Sequence, residues 1–118
     1  MTAKEYLSRY KGLDMLINAK TKELSKLRAQ KDVKKVVMLE CIINADIDRL
    51  LETKHEIINA IKGVSNPFYQ AVLLKKYISG ETLDQIAEAT HYSTKQISRM
   101  HKSALEEMEK IIHNTEKQ

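Results

Sequence analysis

Residues 82–102 read TLDQIAEATHYSTKQISRMHK, and this stretch decides how the rest of the chain is interpreted. It contains the pattern of a helix N-terminal capping box twice, first from Thr82 to Gln85 and then from Ser93 to Gln96. In such a box the hydroxyl accepts a hydrogen bond from the amide three residues on, and the Gln side chain accepts one from the cap amide. Two capped helices joined by a short turn, the first about two turns long, predict a helix-turn-helix.

The apolar residues of this stretch predict which faces of the two helices pack together. Leu83, Ile86 and Ala87 share the inner face of the first helix, and Ala87 is small enough for the second helix to cross it closely. Ile97 and Met100 provide the matching face of the second helix. With these positions buried, the second helix has an outward face of polar and basic side chains without an acid, formed by Thr94, Lys95, Ser98, Arg99 and Lys102.

That outward face predicts contacts with double-stranded DNA, because the second helix of a DNA-binding helix-turn-helix lies in the major groove. Arg can bind two acceptors of guanine, so we expect Lys95, Ser98 and Arg99 at base edges, with Thr94 and Lys102 at phosphates. The free amides of the helix N-terminus also suit a phosphate. The full candidate DNA-binding set is Ser93, Thr94, Lys95, Gln96, Ser98, Arg99 and Lys102, in which Gln96 either caps the helix or contacts DNA.

The charge distribution permits DNA binding without requiring it. The chain has a net charge of +4 and a pI of about 9.1. Residues 1–66 hold 13 Lys and Arg against 9 Asp and Glu, whereas residues 67–118 hold 7 of each class. Residues 89–104 nevertheless contain three basic residues, two His and no acid. Such a local basic island is typical of a DNA contact, although composition alone allows chance clustering of three charges.

Motif residues in this region resemble a known family of DNA-binding domains. The patterns are LxxIA at residues 83–87, YSxxQIxxM at residues 92–100 and ALxxM at residues 104–108. Together they resemble the promoter-reading C-terminal domain of bacterial sigma factors, and YQAVLLKKYISG at residues 69–80 resembles the helix leading into that domain. One departure is His91, which stands in the turn where sigma-like motifs usually have Gly.

The whole chain resembles a narrower group. With EYL at residues 5–7, INAK at residues 17–20 and a long second helix, it resembles the small phage-encoded regulators of the ArpU and RinA type. This resemblance implies control of late phage genes in the cytoplasm of a bacterial host.

The first 62 residues predict two long amphipathic helices folded as an antiparallel hairpin, with a turn at residues 29–32. On the first helix, residues 2–30, the stripe consists of Tyr6, Tyr10, Leu13, Leu16, Ile17, Leu24 and Leu27. On the second helix, residues 33–62, it consists of Val33, Val36, Ile43, Ile47, Leu50, Ile57 and Ile61, widened by Val37, Leu51 and Ile58. Lys20, Glu40 and Lys54 interrupt these stripes.

A break at residues 63–67 predicts a domain boundary. Gly63 suits a helix C-cap, Asn66 an N-cap and Pro67 the first turn of the next helix. The third helix is expected from Pro67 to Ile78, with an inner face of Phe68, Val72, Leu73 and Tyr77. The predicted all-α architecture is therefore a hairpin at 1–62, a linker at 63–66 and a helix-turn-helix domain at 67–118. On the last helix, Ile97, Met100, Leu105, Met108 and Ile111 are the expected buried positions.

The wide stripe of the second helix has two interpretations. It forms the core of the hairpin, or it also covers a partner, which is the C-terminal domain or a second copy of the chain. A homodimer suits DNA recognition because one recognition helix makes few base contacts.

Enzyme and membrane functions are not expected. The sequence has no Gly-rich phosphate loop, no Cys or His pair at metal spacing, no signal-peptide pattern and no apolar stretch of membrane-spanning length. Cys41 is expected to be a small buried hydrophobic residue, and the four His to lie at surface or boundary positions. We expect a cytoplasmic protein without a metal or cofactor. Two functions remain open: a sequence-specific transcription regulator, or a protein-binding adaptor that engages host RNA polymerase or another protein.

Overall fold

The computed structural model describes residues 1–116 and contains five α-helices over that range, without a strand. They are α1 (Ala3–Ala29), α2 (Val33–Ile61), α3 (Pro67–Tyr77), α4 (Leu83–Thr90) and α5 (Thr94–Glu116). The predicted all-α fold class is confirmed. Within the described residues, none of these helices combines the length and the apolar character needed to cross a membrane.

Local capping interactions set the ends of α1 and α2. Thr2 Oγ1 accepts from the Glu5 amide at 3.1 Å, and Asp32 Oδ1 accepts from the Lys35 amide at 3.2 Å. Between the helices, Lys31 has a φ of 58° in the left-handed region, which reverses the chain in a short turn. We call α1, α2 and this turn the hairpin, its turn the distal end, and the opposite end the base.

Ion pairs cross the hairpin where polar residues interrupt its apolar stripes. Lys20 Nζ lies 2.6 Å from Asp46 Oδ2, and Arg28 Nη2 lies 2.8 Å from Glu40 Oε1. The apolar core of this part of the hairpin is small and consists of buried Ile17, Leu24 and Ile43, with partly buried Val36, Leu39 and Leu50 against them. The distal half therefore combines a narrow apolar seam with charged flanks.

Several residues placed in the hairpin core by periodicity are exposed instead. Leu16, Val33, Val37, Ile47 and Leu51 are 45%, 72%, 53%, 37% and 58% exposed. Two helices cover only one stripe of each other, so residues on the flanks of that stripe stay in water unless a third element covers them.

The expectation that Cys41 is buried is also wrong, because Cys41 is exposed. It lies two residues from buried Ile43, which at about 100° per residue places it on the far side of α2.

The base of the hairpin shares one core with the C-terminal helices. Val64, in the segment between α2 and α3, is fully buried in that core. The other buried members are Ala3 and Leu7 of α1, Ile57 and Ile61 of α2, Leu73 and Tyr77 of α3, and Ala104, Met108 and Ile112 of α5. The wide stripe of α2 is thus covered at the base by the chain's own C-terminal helices.

Gly63 allows this close packing, and it does not form the left-handed C-cap of α2. The C-cap of α2 is Lys62, with a right-handed φ of −59°, and Gly63 is not among the residues with positive φ. A Cβ on Gly63 would lie 3.2 Å from the Ala60 carbonyl oxygen and 3.3 Å from Ile111 Cδ1. Absence of a side chain therefore allows α5 to approach the end of α2 closely.

The start of α3 is capped as expected, but its inner face differs at one position. Asn66 Oδ1 accepts from the Phe68 amide at 2.9 Å, and Pro67 is the first helical residue. Val72 is buried, whereas Phe68 is 58% exposed, which corrects its predicted inward position. Phe68 lies at the helix start and makes an edge contact with the Tyr92 ring at 6.5 Å between centroids.

Candidate nucleic-acid interface

The two helices α4 and α5 pack through a small separate core. Ile86, Ala87 and Ile97 are buried in it, and Leu83 and Met100 are partly buried against them. These are the five residues that the sequence places on the facing sides. Burial of Ile97 fixes the rotation of α5 about its axis and so determines which of its side chains face water.

Both predicted capping boxes are present, and they fix where α4 and α5 begin. Thr82 Oγ1 accepts from the Gln85 amide at 3.1 Å, and Gln85 Oε1 accepts from the Thr82 amide at 2.8 Å. Ser93 Oγ accepts from the Gln96 amide at 3.1 Å, and Gln96 Oε1 accepts from the Ser93 amide at 2.9 Å. The side-chain oxygen of Gln96 is therefore engaged in the cap of α5.

His91 ends α4 in the left-handed conformation, with φ of 62° and ψ of 21°. This is the conformation that Gly adopts without steric cost at such a position, and it costs an L-residue roughly 1–2 kcal/mol. The backbone thus has the turn geometry that a Gly would give, although the residue differs. The imidazole is exposed beside the N-terminus of α5.

Five residues of the predicted DNA-binding set lie on the outward face of α5, whereas Ser93 precedes the helix and pairs with Gln96 in its cap. All seven are exposed: Ser93, Thr94, Lys95, Gln96, Ser98, Arg99 and Lys102. Lys95, Arg99 and Lys102 follow the spacing i, i+4, i+7 and form one stripe on the side of the helix opposite Ile97. Among the residues that the structure describes, no carboxylate pairs with these three cations within 4 Å.

The chain was compared with known protein families, curated proteins and solved structures. No protein family, curated protein or solved structure matches the chain.

One pair beside this face is not predictable from local sequence. The Tyr77 hydroxyl and His101 Nε2 lie 2.7 Å apart, and the two rings stack at 5.7 Å between centroids. Burial lowers the pKa of His101, and the nearby charges of Lys76 and Lys4 lower it further. Burial also raises the pKa of Tyr77. Both shifts favour the neutral forms of the two side chains, and their hydrogen bond joins α5 to the end of α3.

Proposed function

We propose that this chain is a sequence-specific DNA-binding transcription regulator in which α4 and α5 form a helix-turn-helix. The observation that carries the proposal is the stripe of Lys95, Arg99 and Lys102, which is exposed and free of ion pairs with described residues. Its opposite face is anchored by buried Ile97. A rigid helix with unpaired cations on one side suits a polyanion with a groove of matching width.

The thickness of an α-helix suits the major groove. A helix with its side chains is about 10–12 Å across, and the major groove of B-DNA is about 12 Å wide. In this arrangement Lys95, Ser98 and Arg99 face base edges. Thr94 and the free amides at the start of α5 face a phosphate, and Lys102 faces the backbone at the other side of the groove.

The resemblance to ArpU and RinA regulators supports phage late genes as the targets, in the cytoplasm of the bacterial host. The proposal of DNA binding rests on the exposed cations of α5 and does not depend on this resemblance.

Selection from randomised duplexes, followed by titration of the selected site, tests the proposal. Arg99→Ala should weaken binding by about 1–3 kcal/mol and relax the preference at one base position. Arg49→Ala is the matched control, because Arg49 is exposed on α2, far from α5 in the sequence, and should leave affinity and preference unchanged. If no consensus emerges and all duplexes bind weakly and equally, the proposal is wrong.

A protein-binding adaptor is the second candidate, favoured by the exposed aromatic pair of Phe68 and Tyr92. Their side chains are 58% and 39% exposed and meet edge to face beside the turn before α5. Aromatic side chains are enriched where proteins bind each other. Purified host RNA polymerase should then retain the chain, and Phe68→Ala should abolish retention while DNA affinity is unchanged. Weaker DNA binding with unchanged polymerase binding in Arg99→Ala would separate the two functions.

We also propose that the chain acts as a homodimer joined through the distal hairpin. Exposed apolar residues lie on both flanks of α2, with Val33 and Val37 on one side and Met38 and Ile42 on the other. Analytical ultracentrifugation of the full chain should show a dimer that Val37→Gln weakens. Lys34→Gln, at an exposed polar position of the same helical turn, is the control. A monomer at the highest soluble concentration contradicts the dimer.

A further inference from the structure

A basic cleft lies where α1 begins and α3 ends. It has a volume of about 180 Å³ and is lined by Lys4, Ser8, Lys11, Lys76 and Tyr77. Its lining offers three ammonium groups and two hydroxyls and contains no carboxylate. The three ammonium groups and the Ser8 hydroxyl can donate hydrogen bonds, as a phosphate group requires, and the Tyr77 hydroxyl also contacts His101.

The positive charge of the cleft is not neutralised within the described part of the chain. No carboxylate of the described residues lies within 4 Å of Lys4, Lys11 or Lys76, whereas Lys20 and Lys75 each pair with an acid. The field of these lysines reaches beyond the cleft, because Lys76 and Lys4 contribute, after burial, to the lowered pKa of His101.

The walls of the cleft are held by the core. Lys4, Ser8 and Lys11 share one face of α1, while Ala3 and Leu7 of the same helix are buried in the core at the hairpin base. The Ala3 amide donates to the Glu109 carboxylate, which ties the start of α1 to α5.

The second wall comes from α3. The Tyr77 ring is buried in the same core, and its hydroxyl is held 2.7 Å from His101 Nε2. The donors of the cleft therefore sit on helices that are packed together before any ligand arrives.

We infer that this cleft binds a phosphate group of the backbone of the DNA that α5 reads, so that the N-terminal helix takes part in DNA binding. This inference rests on the proposed function. At about 180 Å³, the cleft has room for a small anionic group such as one phosphodiester.

Its position fits the same conclusion. His101 lies seven residues beyond Thr94, about 10 Å along α5, and directly precedes Lys102. Tyr77 lines the cleft and contacts His101, so only this pair separates the cleft from Lys102 at the end of the outward face of α5. The contact is to the backbone, so it adds affinity and positions the protein without adding sequence preference.

Two measurements on the full chain test the inference. In the first, inorganic phosphate is titrated into the ¹⁵N-labelled protein while the amide signals of Lys4, Ser8 and Tyr77 are followed by NMR. In the second, the salt dependence of binding to the selected duplex is measured for the triple variant K4Q/K11Q/K76Q. The control is K22Q/K26Q/K34Q, which removes three exposed lysines from the distal half of the hairpin.

We expect saturable shifts with phosphate in the wild type that disappear in K4Q/K11Q/K76Q and persist in the control. We also expect the slope of log affinity against log salt to become shallower by about 0.9 for each DNA phosphate that the variant no longer neutralises, with the consensus unchanged. Thermal unfolding of both variants, together with the single variant Lys76→Gln, separates a local effect from a loss of fold.

Other results would contradict the inference or the function on which it rests. Phosphate shifts without any change in the salt slope would assign the cleft to a free phosphorylated molecule and refute the backbone contact. Absence of phosphate shifts refutes the cleft as a phosphate site, whereas equal slopes for both triple variants refute the backbone contact. If the wild type selects no DNA sequence, the proposed function fails, and the phosphate titration still decides on the cleft.

Discussion

Replacing His91 by Gly should stabilise the chain, although it removes a side chain. His91 has a φ of 62°, in the left-handed region that Gly occupies freely. Holding an L-residue there costs roughly 1–2 kcal/mol. The exposed imidazole makes no hydrogen bond or ring contact within the described residues, so its removal costs little.

The gain is smaller than the relieved strain, because Gly is more flexible in the unfolded chain. That flexibility costs about 0.4–1 kcal/mol. We therefore expect the free energy of unfolding to rise by about 0.5–1 kcal/mol. With an unfolding entropy of about 2.1 cal/mol/K per residue, this corresponds to an increase in Tm of about 2–4 °C for the 118 residues.

Differential scanning calorimetry of wild type, His91→Gly and His55→Gly measures the effect. His55 is exposed within α2, so the same substitution there lowers Tm, since Gly is a poor helix former. Lys31→Gly, at a φ of 58° in the hairpin turn, should behave like His91→Gly. A fall in Tm for His91→Gly similar to that of His55→Gly would refute the strain argument.

Two further predictions concern the core and the pH dependence of stability. Ile57 is fully buried at the hairpin base, so Ile57→Ala should cost about 2–5 kcal/mol in urea unfolding, whereas Met15→Ala, at 61% exposure on α1, should change stability by no more than about 0.5 kcal/mol; equal effects would contradict the shared core. Burial, with Lys76 and Lys4, lowers the pKa of His101 in the folded chain below about 6.5, so this group should destabilise the fold as pH falls from about 7 towards the folded pKa. His101→Gln should flatten that part of the pH profile, and an unchanged profile would contradict the assignment.

Features that depend on a few neighbouring residues can be predicted from the sequence. The caps at Thr82, Ser93 and Asn66 are decided within three positions, and each is present. The outward face of α5 is equally predictable, because burial of Ile97 and the helical period together determine it.

Features that depend on how the helices pack against one another cannot be predicted from neighbouring residues. Val33 and Leu7 are both apolar residues of long amphipathic helices, yet one is 72% exposed and the other fully buried. The difference is that the C-terminal helices cover only the base of the hairpin. The same reason explains why the hydrogen bond between Tyr77 and His101, 24 residues apart, leaves no local signal in the sequence.

The basic cleft is a further case of this kind. Its donors come from α1 and α3, and only the packing of both helices against α5 brings them together. The charge excess of residues 1–66 is visible in the sequence, but no local pattern places Lys4 beside Lys76.

The continuity of α5 has a consequence for how such a protein can change its specificity. One uninterrupted helix carries Lys95 and Arg99 towards solvent and, further along, locks Met108 and Ile112 into the core at the hairpin base. Adding a single residue between Met100 and Ala104 would turn one end by about 100° relative to the other. Single substitutions on the outward face of α5 can therefore change specificity without disturbing the core. An insertion of one residue would instead rotate Lys95 and Arg99 away from their present direction.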